Sequence, residues 1–137
     1  MKDIIVGLGE ILWDILPEGK VLGGAPANFA YHTSQFGYDG YAVSAIGDDE
    51  LGKEIVSTLV EKEGLNYLIE TTDYPTGTVQ VTLDDAGVPQ YEICENVAWD
   101  NIPFTEKTRA LAQQTKAVSF GSLAQRNNVS KNSVRQF

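Results

Sequence analysis

Short apolar runs alternate with helically spaced apolar residues through the first half of the chain. Ile4-Ile5-Val6-Gly7-Leu8, followed by Gly9, is apolar on both faces and predicts a strand buried in a parallel sheet. From Glu10 to Leu16 the pattern is extended, with Ile11, Trp13 and Ile15 alternating against Glu10, Leu12 and Asp14. Pro17-Glu18-Gly19 makes a turn, and Lys20-Val21-Leu22 runs back from it. Ala25 to Phe36 predicts a helix, with Phe29, Ala30 and Phe36 as its apolar stripe and Gly37 as its stop. Tyr41 to Ile46 is a second buried strand, ending at Gly47-Asp48-Asp49, where either aspartate can cap the next helix. Leu51, Ile55 and Leu59 recur every fourth residue, Val56 and Val60 lie beside them, and Gly64 closes the element. Leu65 to Glu70 is a third strand. Strands and helices in alternation predict an α/β unit on a parallel sheet.

Beyond this point the period changes to two. Thr78 to Leu83 alternates, Asp84-Asp85-Ala86-Gly87 turns, and Val88 to Cys94 returns, which predicts an antiparallel hairpin with one wet face. Asn96 to Pro103 is irregular. Thr105 caps a helix reaching about Gln114, with Glu106 in its first turn and Leu111 facing inward. Ala117 to Phe120 is a further buried strand, ending at Gly121-Ser122. Ser130 opens a last helix, with Val134 and Phe137 apolar, and Phe137 cuts it short.

Between the first hairpin and the first helix stands Gly23-Gly24-Ala25-Pro26-Ala27-Asn28-Phe29-Ala30. Two glycines allow positive φ and close approach of a ligand to the backbone. Pro26 suits a first helical turn. A glycine turn feeding a helix start presents unpaired N–H groups and a positive dipole end to a polar ligand. The Asn28 amide can reach the same ligand with a donor and an acceptor. A plain turn with a locally bonded asparagine is the alternative. Gly7 and Gly9 invite a dinucleotide fingerprint, but its third glycine would fall on Leu12, so that motif is rejected.

Composition narrows the classes. The 137 residues suffice for one domain with a real core. A net charge of −9 argues against a nucleic-acid partner, although local donors can still take an anionic nucleotide. The lone cysteine, Cys94, excludes an internal disulfide and reads as a small buried hydrophobe. The lone histidine, His32, leaves no metal cluster and suits helix packing. Asp48 to Glu50 reads as a helix cap and not as a magnesium site. No basic segment precedes a long apolar one, and no window approaches eighteen apolar residues, so neither a signal peptide nor a membrane span is expected and the cytoplasm is the expected compartment.

Gly24, Asn28, Ala30, Gly37 and Gly47, in that order, resemble the N-terminal signature of the ribokinase-like (PfkB) carbohydrate kinases. The opening Ile4 to Asp14, with its Gly-Glu-Ile-Leu-Trp-Asp run, is similar to the bacterial fructokinase branch. The resemblance runs through the whole chain but covers only the first part of the family's length. It implies a ribokinase-like α/β fold: one domain over residues 1–137, a small antiparallel β lid built from segments near 10–22 and 70–98, and a C-terminal part that is absent. It also implies an enzyme that moves the γ-phosphate of ATP to a sugar hydroxyl, with magnesium and a monovalent cation such as potassium. The sugar would bind first under the lid, and relatives suggest a homodimer formed through the lids. A non-catalytic sugar-binding or dimerisation module, or part of a 2-keto-3-deoxygluconate or nucleoside kinase, are the alternatives.

Carried over to this chain, the resemblance assigns Asp14 to sugar hydroxyls, since an ionised carboxylate can accept from two at once. Gly23, Gly24 and Asn28 would line the same pocket. Trp13 and Tyr91 could offer apolar faces to the ring or lid, with sheet packing as the alternative. Ser122 and Arg126 follow a strand end and could touch substrate, although a lone arginine in a polar stretch is otherwise expected to be solvated. The family's catalytic base lies in a Gly-Ala-Gly-Asp loop, and its magnesium-linked motif is Asn-x-x-Glu. Neither occurs here, so the chain is expected to hold the sugar half without a catalytic residue or a metal ligand. Strands 4–8, 41–46 and 117–120 would then keep exposed apolar surface.

Overall fold

The computed structural model describes residues 1–137, apart from the side chains of Lys62 and Glu63. In chain order the strands and helices are β1 (Ile4–Leu8), β2 (Leu12–Leu16), β3 (Gly19–Gly23), α1 (Ala25–Gln35), β4 (Asp39–Gly47) and α2 (Glu50–Ser57). There follow β5 (Asn66–Thr72), β6 (Gly77–Leu83), β7 (Pro89–Ile93), α3 (Glu106–Gln114), β8 (Thr115–Phe120) and α4 (Asn128–Gln136).

Two four-stranded sheets organise these elements. The first is all parallel, in the order β5-β4-β1-β8. The second has the order β3-β2-β6-β7. Its two hairpins are antiparallel, as expected, but β2 and β6 run parallel where they meet. The small sheet is therefore mixed and not purely antiparallel. The parallel pairing follows from the connectivity, because β6 returns from the far end of β5 in the direction of β2.

Burial follows the strand period. On β4, Ala42 and Ile46 face one side with Ala27, Ala30, Ile55 and Leu59, while Val43 and Ala45 face the other with Val6, Leu8, Ile102 and Leu111. Ile55 and Leu59 are fully buried, each contributing roughly 1.5–3 kcal/mol. Asp49 caps α2 through its carboxylate, and Thr105 caps α3 through its hydroxyl. The end of α2 widens into π-type turns over Thr58–Glu63 before Gly64.

Several expectations are corrected. The α1 stripe is Pro26, Ala27 and Ala30, with Phe29 half-buried and Phe36 81% exposed. Small residues are buried there because the helix lies close on β1, which leaves no depth for a phenyl ring. Val60 is exposed as well, since the widened turns rotate it off the apolar face. Strand β8 is not buried. It is an edge strand whose Val118 and Phe120 are 36% and 57% exposed. By contrast β1 and β4 are covered on both faces, so of the three strands expected to keep bare apolar surface only β8 does. The irregular stretch before α3 contains a short 3-10 helix, Ala98–Asn101, and carries the deeply buried Trp99 and Asp100. The last helix starts at Asn128, two residues before Ser130, and completes nine residues, with Val134 and Phe137 packed on the core. Cys94 is half-buried, and its sulfur accepts a hydrogen bond from Thr78 at 3.3 Å.

Candidate functional site

Asp14 sits in the middle of β2, paired with Val21 of β3 and Val79 of β6. Its carboxylate is half-buried, and no group among the described residues donates a hydrogen bond to it. Burial pushes its pKa above the usual aspartate range. Beside it lies Gly23, where a Cβ would stand 2.5 Å from Asp14 Oδ2. Gly23 is thus a glycine because the carboxylate occupies the space of its side chain. Gly24 has φ 114 and lies against the carbonyl of Glu10, with which a Cβ would collide. The two glycines answer two different constraints.

Gly24 also starts α1. No side chain caps that helix and no acidic residue occupies its first turn. Pro26 lacks an N–H, and the N–H of Asn28 donates to the carbonyl of Gly24 at 3.1 Å. The Asn28 side chain is exposed, with its amide turned to solvent. The structure therefore brings Asp14, Gly23 and Gly24 together, with Asn28 one turn along α1. An unpaired carboxylate can accept from the hydroxyls of a small polar molecule, and backbone N–H groups at the uncapped helix start beside it can donate to the same molecule.

The remaining expected residues lie elsewhere. Trp13 is 6% exposed, packs into the core, and donates its Nε1–H to the carbonyl of Leu51 at 2.9 Å. The packing alternative describes it. Tyr91 is 67% exposed on the outer strand β7. Ser122 is exposed and its carbonyl accepts from Gln125. Arg126 is not simply solvated. Its Nε and Nη2 donate to the two oxygens of the fully buried Asp100 at 2.7 and 2.8 Å, and Nη2 also donates to the carbonyl of Cys94. The guanidinium lies 4.2 Å from the centre of the Trp99 ring. The hydrogen bond to Asp100 raises its pKa further, against a smaller opposing effect of burial. His32 is exposed and meets Tyr31 edge-on.

Glu10 and Thr76 are among the buried polar groups that escaped the sequence reading. Glu10 is 7% exposed, its Oε2 has no hydrogen-bond partner, and burial raises its pKa, partly offset by a bond from its own backbone. Thr76 is 3% exposed and bonds to Asp49. Glu10 occupied a polar place in an alternating segment, which concealed its depth. A cavity of about 320 Å³ opens between Trp13, Lys20, Glu54, Ser57, Thr58 and Glu61, and includes none of Asp14, Gly23, Gly24 or Asn28. Among the described residues, no three His, Cys, Asp or Glu side chains gather where they could hold a metal ion. Among the described residues, no helix is long and apolar enough to cross a membrane.

Known proteins share this fold. An uncharacterized sugar kinase of Pyrococcus horikoshii is 29% identical over 96% of this chain and 46% of its own length. Its crystal structure superposes with a TM-score of 0.85 over 98% of this chain and 48% of that one. An ATP-dependent 6-phosphofructokinase of Thermoanaerobacterium thermosaccharolyticum is 30% identical over 95% of this chain and 43% of its own. A fructokinase of Klebsiella pneumoniae is 37% identical over 58% of this chain and 28% of its own. The chain thus spans about half the length of the first two relatives and covers less of the third. The model of the pfkB family carbohydrate kinases matches residues 18–133, so an α/β sheet, a small mixed sheet and the glycine turn between them belong here to a member of that family.

Proposed function

We propose that this chain is the sugar-binding portion of an ATP-dependent sugar kinase acting on a neutral ketose such as fructose. The carrying observation is the half-buried Asp14 carboxylate, unpaired and backed by Gly23. Leaving a polar group without a partner in a partly dry place is unfavourable unless a ligand supplies the hydrogen bonds. Asp14 accepts two sugar hydroxyls, the Gly24 turn and the start of α1 approach the ring, and Asn28 closes one side. The small mixed sheet acts as the lid. ATP and magnesium are held outside these residues and supply the phosphoryl group and its charge neutralisation. A structure of the Pyrococcus protein in complex with ATP supports this reading. Dimerisation through the lids and a cytoplasmic setting complete it.

Within this chain, Lys20 is paired with Glu54 at 2.8 Å and Arg126 with Asp100. Calorimetric titration of the chain with fructose, fructose 6-phosphate and ATP tests the proposal. We expect fructose to bind, and Asp14→Ala to weaken it about tenfold to several-hundredfold, the loss of one or two hydrogen bonds to a charged group. An unchanged affinity in Asp14→Ala, or preferential binding of the phosphorylated sugar, overturns it.

A further inference from the structure

We propose that Asp49 is a positioning residue for the sugar site, acting through Thr76 to hold the strand that carries Asp14. The proposal rests on the lid and pocket described above. At the foot of α2 one carboxylate serves two elements. Oδ1 accepts the N–H of Gly52 at 2.8 Å, which caps the helix, and the hydroxyl of Thr76 at 2.6 Å. Oδ2 accepts the N–H of Thr76 at 3.0 Å. The Thr76 hydroxyl accepts in turn from the N–H of Gly47 at 2.9 Å. A carboxylate that only ended a helix would need the Gly52 bond alone. The bonds to Thr76 are additional, charge-assisted, and reach the start of the second hairpin.

From there the contacts close on themselves. Gly77 opens β6 and pairs with Leu12 of β2. Trp13, the next residue, donates its indole N–H to the carbonyl of Leu51, which lies two positions beyond Asp49 on α2. Asp49, Thr76, Gly77, Leu12, Trp13 and Leu51 therefore form a ring. Thr76, Leu12 and Trp13 are buried within it. Asp14 directly follows Trp13 and stands against Gly23. Lys20 of β3 reaches Glu54 one turn further along α2. Both hairpins of the lid hang on this helix, and Asp49 is the charged member of the joint at its foot.

Three variants separate clamp from cap. Thr76→Val keeps the shape and the cap but removes the hydroxyl. Asp49→Asn keeps a capping oxygen, and asparagine caps about as well as aspartate, but turns an amide N–H toward the N–H of Thr76. Thr76→Ser restores the hydroxyl. Amide hydrogen exchange on the 137-residue chain is expected to speed up about tenfold or more in segments 12–16 and 77–81 of Thr76→Val and Asp49→Asn, with 50–57 unchanged and Thr76→Ser close to wild type. Titration with D-fructose is expected to show about tenfold weaker binding in the same two variants and recovery in Thr76→Ser. Unchanged exchange in 12–16, or a uniform rise that includes 39–46, overturns the clamp; Gly47, whose N–H loses its acceptor in Thr76→Val, is left out of that comparison. A wild-type chain that binds no fructose removes the sugar reading, while the exchange pattern still decides the clamp. Normal fructose affinity in Thr76→Val, in a chain that does bind the sugar, removes the positioning role alone.

Discussion

Asp14 and Gly23 compete for one volume, and that competition is measurable. Gly23→Ala places a methyl 2.5 Å from Asp14 Oδ2, so either the carboxylate turns or the β2–β3 pairing gives. Overpacking of this kind costs about 1–3 kcal/mol. We expect that loss in a denaturant titration, together with fructose affinity weakened about tenfold. Glu10 offers a test in pH. Its folded-state pKa is raised, chiefly by burial, so in the window above the ordinary carboxylate range the folded state holds a proton that the unfolded state has released. The stability it contributes is complete below that range and is lost as pH rises through the raised value. Glu10→Gln removes the titration, and stability plotted against pH should flatten there, leaving the slope of Asp14, which is shifted the same way. An unchanged slope would show that Glu10 is ionised in the folded chain. Asp49 acts oppositely. Burial raises its pKa, but bonds from Thr76 and Gly52 and the charge of Lys53 outweigh that and bring it below the usual value, so its contribution is lost at acid pH. The proximity of Asp14 to the two glycines was legible through the resemblance to the sugar kinases, which implied one pocket for them. Glu10 and Thr76 were not, because their depth depends on what folds over them.

Elements defined by local chemistry were read well, and those defined by their neighbours were not. The caps at Asp49 and Thr105 need only a few residues of context, and both helices begin where the side chains demand. An apolar run such as Ala117 to Phe120 says only that cover would be favourable; it does not say whether cover is there. The same limit applied to Arg126, whose partner Asp100 lies twenty-six residues away in sequence. That pair joins the segment after β8 to the short helix before α3 and, through the carbonyl of Cys94, to the end of β7. Removing one side of a buried ion pair leaves the other charge stranded. Arg126→Ala is therefore expected to lower stability by about 3–5 kcal/mol, read by denaturant unfolding. A loss under 1 kcal/mol would mean that Asp100 finds water instead.

At the scale of the molecule, exposed apolar side chains gather on two edges. Val118 and Phe120 line β8, and Leu83, Tyr91 and Ile93 lie on the second hairpin. Open strand edges pair readily with other chains. Light scattering at micromolar concentration is expected to show a dimer or larger species, and Phe120→Lys should reduce it if β8 carries the contact. A wild-type monomer would show that both edges are adequately protected. A coupled assay with fructose, ATP and magnesium is expected to show no turnover by this chain, whose sequence lacks the Gly-Ala-Gly-Asp loop. The register of the parallel sheet has one more consequence. β1 is bordered by β4 on one side and by β8 on the other, with Ile5 beside both Gly40 and Ala117. β1 must wait for β8, far along the chain, before it has both neighbours. A hairpin or helix can form while synthesis continues, but the centre of this sheet cannot close until the chain has passed Phe120. Folding therefore has to bridge its longest loop before its central strand is satisfied, which favours one late, collective and comparatively slow step over growth from the N-terminus.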